Sequence, residues 1–251
     1  MNDDLKILLY QYLTHGLSYD VGHYLHRAQH NIDRASSECN KILELGVGLG
    51  RTLLPMVQSG ASCYGIDSDR AMLAAAREAA GKEPLIQLRL GKIQSFLQPH
   101  QFAQIQVPLR TLQLLSLSDQ SSLLRCAAEH LHPHGELLLH LCAPPAERMD
   151  GSWRIYRESP VFNGGTMVIE EALFKTDLES PLFPDQCTIE LRHRFQQFDA
   201  SGFSTGTWRL AHTLVSWTPE QFSEFASSCG LTVHAHIQLS EGDWISCCRL
   251  S

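Results

Sequence analysis

Three glycines spaced by two residues constrain this chain more than any other feature. They lie in Lys41-Ile-Leu-Glu-Leu-Gly-Val-Gly-Leu-Gly-Arg51. Ile42 to Leu45 is a short apolar run, the pattern of a buried strand. Gly46, Gly48 and Gly50 break it, and Thr52 to Ser59 carries an apolar helical pattern. Strand, glycine turn and helix together bring backbone close to a nucleotide-like ligand, because glycine turns sharply and leaves no side chain in the way. The dinucleotide fingerprint GxGxxG would need glycine at position 51. Arg51 stands there, which makes a nicotinamide enzyme a weak rival.

The segments that follow keep a regular rhythm. Ala61 to Ile66 reads as a second strand ending at Asp67, and Ser68 or Asp69 caps a helix over Arg70 to Ala80. A third strand, Leu85 to Leu90, leads into Gly91-Lys92-Ile93. The fourth, Phe102 to Val107, stops at Pro108. A capped helix from Ser118 and a turn at Pro133 and Gly135 precede a fifth strand, Glu136 to Cys142. Strands alternating with helices predict an α/β fold with a mostly parallel sheet and helices on both faces.

The rhythm changes at Pro144-Pro145. Four β-like runs, 153–157, 166–174, 187–195 and 208–217, predict an inserted antiparallel meander. Thr218-Pro-Glu-Gln221 then has the form of a capping box, and two closing strands end the chain. At the other end, residues 1–34 show two helical runs, either a packing pair or a lid with Tyr19 or Tyr24 against a ligand.

Composition excludes several classes of function. The net charge is −7 and no long Lys/Arg cluster occurs, which argues against nucleic acid. No run approaches the roughly 18 apolar residues of a membrane span. The acidic start lacks a signal-peptide pattern, so the expected location is the cytoplasm. The eight cysteines form no CxxC pair and read as reduced core residues. Cys187, His193 and His212 lack metal-site spacing, so no metal is expected.

Glu44-x-Gly46-x-Gly48-x-Gly50, with Asp67 at the end of the next strand, resembles motif I of class I S-adenosylmethionine-dependent methyltransferases. The resemblance covers roughly 38–142 and 218–250, and it implies a Rossmann-like seven-stranded sheet whose last strand is antiparallel. The implied layout is a helical lid at 1–34, a cofactor domain at 35–145 and 218–251, and a substrate-capping insertion at 146–217. Antiparallel insertions of this kind resemble those of small-molecule methyltransferases, as does the helix start Trp217-Thr-Pro-Glu-Gln-Phe222.

The resemblance also implies roles at matching positions. The cofactor is S-adenosyl-L-methionine. Glu44, Gly46, Gly48 and Gly50 form the turn beside its methionine part, and Asp67 with Ser68 holds the ribose. Met72, Lys92 and Ile93 approach the adenine. Val107 and Pro108 lie near the methionine amino group; Tyr19 joins the cofactor site only under the lid reading of residues 1–34. Three positions depart from the family pattern. Lys92 cannot accept from the adenine amino group, Ala103 replaces the usual acid, and Pro133-His134-Gly135 replaces Pro-Gly-Gly.

The implied reaction is methyl transfer to an N or O atom of a small molecule. The alternatives are a relative with other chemistry, such as cyclisation, and a non-catalytic binding protein. His140 near the end of the fifth strand, Tyr156, and His212 on an apolar strand face are the candidate catalytic residues. Each also reads as an ordinary packed side chain. The expected partner is the small acceptor, and exposed strand edges suit a homodimer.

Overall fold

A computed structural model describes residues 2–14, 16–35, 39–161, 164–177, 183 and 186–251. The strands are β1 (Lys41–Leu45), β2 (Ser62–Asp67), β3 (Ile86–Leu90), β4 (Phe102–Val107), β5 (Leu131–Cys142), β6 (Arg154–Pro160), β7 (Thr166–Asp177), β8 (Cys187–Phe198), β9 (Ser204–Val215), β10 (Leu231–Ser240) and β11 (Asp243–Leu250). The helices are α1 (Asp3–Thr14), α2 (Val21–Arg34), α3 (Leu53–Met56), α4 (Arg70–Ala80), α5 (Leu117–His130) and α6 (Pro219–Ser228). The chain forms two compact units. One is Ser18–Ala143 with Trp217–Ser251, and the other is Met1–Leu17 with Pro144–Ser216.

The larger unit is built on a seven-stranded sheet in the order β10-β11-β5-β4-β1-β2-β3. β11 runs antiparallel to both its neighbours, and the pairs among β1 to β5 are parallel. The register places Leu45 beside Ile66 and Val107 beside Leu139. Gly46, Asp67, Pro108 and His140 therefore gather at the carboxyl edge of the sheet, where open α/β sheets bind ligands. β4 is buried throughout, and its polar Gln104 and Gln106 alternate with the apolar Ile105 and Val107.

The two N-terminal helices belong to different units. α2 buries Tyr24, Ala28 and Asn31, one helical stripe, against the seven-stranded sheet. Tyr24 has no exposed surface, so it packs in the core rather than over a ligand. α1 instead seats Leu9 among Met167, Ile169 and Phe195 of the smaller unit.

Two local readings change. β5 begins at Leu131, and Pro133 and Gly135 lie in an irregular stretch of strand where the register shifts between Phe102 and Gln104. A Cβ at Gly135 would stand 2.8 Å from the Phe102 carbonyl oxygen, so glycine is there for close strand approach. The helix after the glycine turn is only the short α3, followed by a 3-10 turn at Val57–Ser59.

Capping follows the sequence closely. Asp69 accepts from the N–H groups of Ala71 and Met72, and Thr218 with Gln221 closes a full capping box on α6. Thr218→Ala should cost about 1 kcal/mol in chemical denaturation, as N-cap loss generally does. Equal midpoints for variant and wild type would show that the box adds no stability.

A buried polar ladder runs under α2. Glu136 on β5 is fully buried and accepts from the Arg27 guanidinium and from Asn31 Nδ2. His234 and Arg249 reach the same carboxylate. Asn31 also donates to Gln104 at 3.1 Å, Gln104 to Gln106 at 2.8 Å, and Gln106 to Glu44 at 2.6 Å. Side chains two residues apart on a strand share a face, which is how Gln104 and Gln106 continue the line.

The smaller unit is a four-stranded antiparallel sheet in the order β6-β7-β8-β9. Phe195 stands opposite Ile169 and Trp208, so the apolar positions of β8 and β9 share one sheet face, part of which α1 covers. Among the described residues, no helix is long and apolar enough to cross a membrane.

Candidate functional site

The glycine turn carries φ values of +81° at Gly46, +55° at Gly48 and +83° at Gly50. Only glycine adopts such angles without strain. At Gly46 a second constraint applies, because a Cβ would lie 2.5 Å from Thr111 Cγ2 in the loop after β4. Asp67 closes the turn from the neighbouring strand. Its Oδ2 accepts from Gly48 N–H at 2.7 Å and its Oδ1 from Asp69 N–H at 2.8 Å. Each carboxylate oxygen has a second acceptor direction, so the pair can also take the two hydroxyls of a ribose.

Other expected binding residues fall into distinct settings. Met72 on α4 and Ile93 after β3 are largely buried apolar groups, while Ser68 precedes the Asp69 cap. Lys92 is exposed. Val107 ends β4 in the core and Pro108 follows it at the edge. Ala103 lies in a small cluster with Ala35 and Cys39, so its departure from the family pattern is a packing substitution.

Glu44 sits at the sheet end of the turn, in the interior. Its Oε2 accepts from Thr52 Oγ1 and Gln106 Nε2, both at 2.6 Å. Its Oε1 has no hydrogen-bond partner among the described residues. Burial outweighs those two donors and raises the carboxyl to about 7. Between its ordinary value and 7 the folded chain keeps a proton that the unfolded chain releases, so Glu44 removes stability as pH rises. Relative to wild type, Glu44→Gln should therefore gain about 3 kcal/mol between pH 4 and pH 8. Denaturation at both pH values measures it, and a pH-independent difference would count against the raised carboxyl.

A second array centres on His140, which is fully buried. Its Nδ1 lies 3.7 Å from Asp20 Oδ2 and its Nε2 lies 3.5 Å from Asp243 Oδ1. Arg51 grips Asp20 through two bonds of 2.6 and 2.7 Å. Arg110 grips Asp243 in the same way, at 2.7 to 3.0 Å. Burial opposes the charge on both aspartates. The Arg51 fork and His140 outweigh it and hold Asp20 well below the carboxylate range. His140 and Arg110 bring Asp243 to about 2. Tyr19 stands edge-on to the imidazole at 6.2 Å.

His140 has no exposed surface, so the role open to it is bracing two carboxylates rather than reaching an acceptor. Arg110 is likewise committed to Asp243. Leu109 and Arg110 take φ values of +49° and +63°, a strained pair of non-glycine residues at the edge of the site. Asp20 and Asp243 carry no sequence signal for this role, because their partners lie far along the chain.

Tyr156 and His212 belong to the smaller unit. Tyr156 is partly exposed on β6, and burial lowers the His212 imidazole from its ordinary value. Among the described residues, no group of three or more His, Cys, Asp or Glu side chains could hold a metal ion.

Residues 42–135 match the family model described as "Methyltransferase domain". This stretch is thus a methyltransferase domain, and the seven-stranded sheet has the class I methyltransferase fold. No curated protein matches the chain. Among solved structures, CalS10 from Micromonospora echinaspora was solved with S-adenosylmethionine bound and is an amino pentose methyltransferase of calicheamicin biosynthesis. It aligns with a TM-score of 0.74 at 17% identity, covering 98% of this chain and 97% of that one. DesVI from Streptomyces venezuelae gives 0.74 at 16% identity, with 100% of both chains covered. The sugar N-methyltransferase KedS8 from Streptoalloteichus sp ATCC 53650 gives 0.72 at 16%, covering 97% of this chain and 92% of that one. At such identities these likenesses speak to the fold.

Proposed function

We propose that this protein transfers a methyl group from S-adenosylmethionine to a nitrogen atom of a small polar molecule. The observation that carries the reading is Asp67, tied to Gly48 N–H at 2.7 Å beside the left-handed glycines. The cofactor supplies a methyl group on a positively charged sulfur that leaves readily. The chain binds and orients. Asp67 takes the ribose hydroxyls, Met72 and Ile93 offer apolar surface to the adenine, and the turn at Gly46 and Gly48 lets backbone approach the methionine part.

Holding the acceptor in line with the methyl–sulfur bond supplies much of the acceleration. An amine attacks only when neutral, so a base must take its proton before the transfer. Nitrogen is preferred over oxygen because CalS10 is described as acting on an amino pentose and KedS8 as a sugar N-methyltransferase. We place the activity in the cytoplasm, because eight free cysteines suit a reducing compartment.

Calorimetry with S-adenosylhomocysteine tests the cofactor, and mass spectrometry of amine and alcohol panels incubated with S-adenosylmethionine tests the acceptor. Binding plus a methyl gain on amines is expected. No binding by folded protein overturns the reading, and methylation of alcohols alone moves the acceptor atom to oxygen.

A further inference from the structure

One face of the four-stranded sheet carries a polar diagonal. Each strand contributes a side chain: Tyr156 from β6, Glu171 from β7, His193 from β8 and His212 from β9. Glu171 stands directly opposite His193, and His212 stands opposite Leu191, one diagonal step from His193. Tyr156 falls where the β6–β7 register shifts between Ile155 and Arg157, a bulge of the kind that re-aims a side chain. Its ring meets that of His193 at 5.9 Å and 70°.

The setting makes these residue types unusual. On the same face, Met167, Ile169 and Phe195 pack against Leu9, so this sheet can build an apolar core. Yet Glu171 is only 8% exposed and His193 only 4%. Burying a carboxylate and an imidazole is costly unless both are partnered. Here Glu171 Oε1 accepts from Arg148 at 3.1 Å, and its Oε2 lies 3.8 Å from His193 Nε2. The adjacent Glu170 points to the opposite face and pairs with Arg194 at 2.6 Å, an ordinary half-exposed ion pair.

We propose that Tyr156, Glu171, His193 and His212 form a recognition site for a polyhydroxylated ring, a saccharide-type ligand. A ring hydroxyl both donates and accepts. The diagonal offers a carboxylate that accepts, imidazoles that do either, and a phenol that does both. The Glu171 carboxylate disfavours an anion, and a plain alkyl amine would leave the donors unused. The Tyr156 side chain is partly exposed, with the Arg157 guanidinium 5.7 Å from its ring centre, and its phenol hydroxyl can meet a ring hydroxyl. This inference concerns ligand binding within the smaller unit and stands apart from the methyl-transfer reading.

The test is saturation-transfer NMR on the full chain with methyl α-D-glucopyranoside, D-glucosamine and cyclohexylmethanol. The two saccharides should bind and cyclohexylmethanol should not. Glu171→Gln and His193→Gln should weaken saccharide binding at least tenfold, whereas Glu170→Gln should match wild type. Tyr156→Phe removes one hydroxyl at a partly exposed position, tests the site without touching the interior, and should also weaken binding. Saccharides that fail to bind wild type, or that bind all four variants equally, overturn the proposal. Calorimetry with S-adenosylhomocysteine separates the two readings. Cofactor binding without saccharide binding defeats this site alone. Saccharide binding without cofactor binding defeats methyl transfer and leaves the site standing.

Discussion

Asp67→Ala should weaken S-adenosylhomocysteine binding by about 100-fold or more, roughly 2.7 kcal/mol. Two effects add in that variant. The ribose loses its acceptor, and hydrogen bonds to a charged group are worth about 1.5–3 kcal/mol each. The glycine turn also loses the clasp on Gly48 N–H, which donates to Asp67 at 2.7 Å and holds the turn before any ligand arrives. Asp67→Asn keeps one oxygen acceptor and should fall between wild type and Ala. Asp67 ends β2 at the sheet edge, so the fold should survive, and far-UV circular dichroism checks that. Calorimetry reads the affinity. An Ala variant that binds as tightly as wild type would remove the residue from the site.

The largest effect on stability is expected at Glu136. Its carboxylate is fully buried and serves Arg27, Asn31, His234 and Arg249 together. Glu136→Ala strands the positive charge gathered there, and removing one partner of a buried ion pair typically costs about 3–5 kcal/mol. In a domain of this size that corresponds to a melting point lower by roughly 10 °C. Burial opposes both charges, and each outweighs it for the other: Arg27 is raised above its ordinary value and Glu136 is lowered below its own. Urea denaturation measures the loss, and a change under about 1 kcal/mol would mean that water replaces the carboxylate at little cost.

The parts of this molecule that are legible in its sequence depend on short-range rules. Gly46, Gly48 and Gly50 announce a turn because no other residue adopts those angles cheaply. Thr218 and Gln221 announce a helix start because both halves of the box lie within one turn. Alternation announces the strands of the inserted sheet. What stays hidden depends on partners. α1 and α2 both show apolar stripes, and a stripe says that a helix is buried without saying against what. Nothing near Asp20 points to Arg51 or His140, and nothing near Asp243 points to Arg110. Glu170 and Glu171 look alike in sequence, and only strand register decides that one faces Arg194 and the other His193.

The ladder from Glu136 through Asn31, Gln104 and Gln106 to Glu44 has a consequence for how this chain can change over generations. Gln104 and Gln106 each use both ends of the amide, so replacing either removes a hydrogen bond from the neighbours on its two sides. Gln104→Leu and Gln106→Leu should each destabilise the fold, and the double variant should lose less than the sum, by 0.5–3 kcal/mol for residues in one network. Drift at this line is therefore expected in linked steps. A lineage that gave up Gln106 would come under pressure to alter Gln104 as well, so the seat of α2 and the floor of the glycine turn would be inherited as a block.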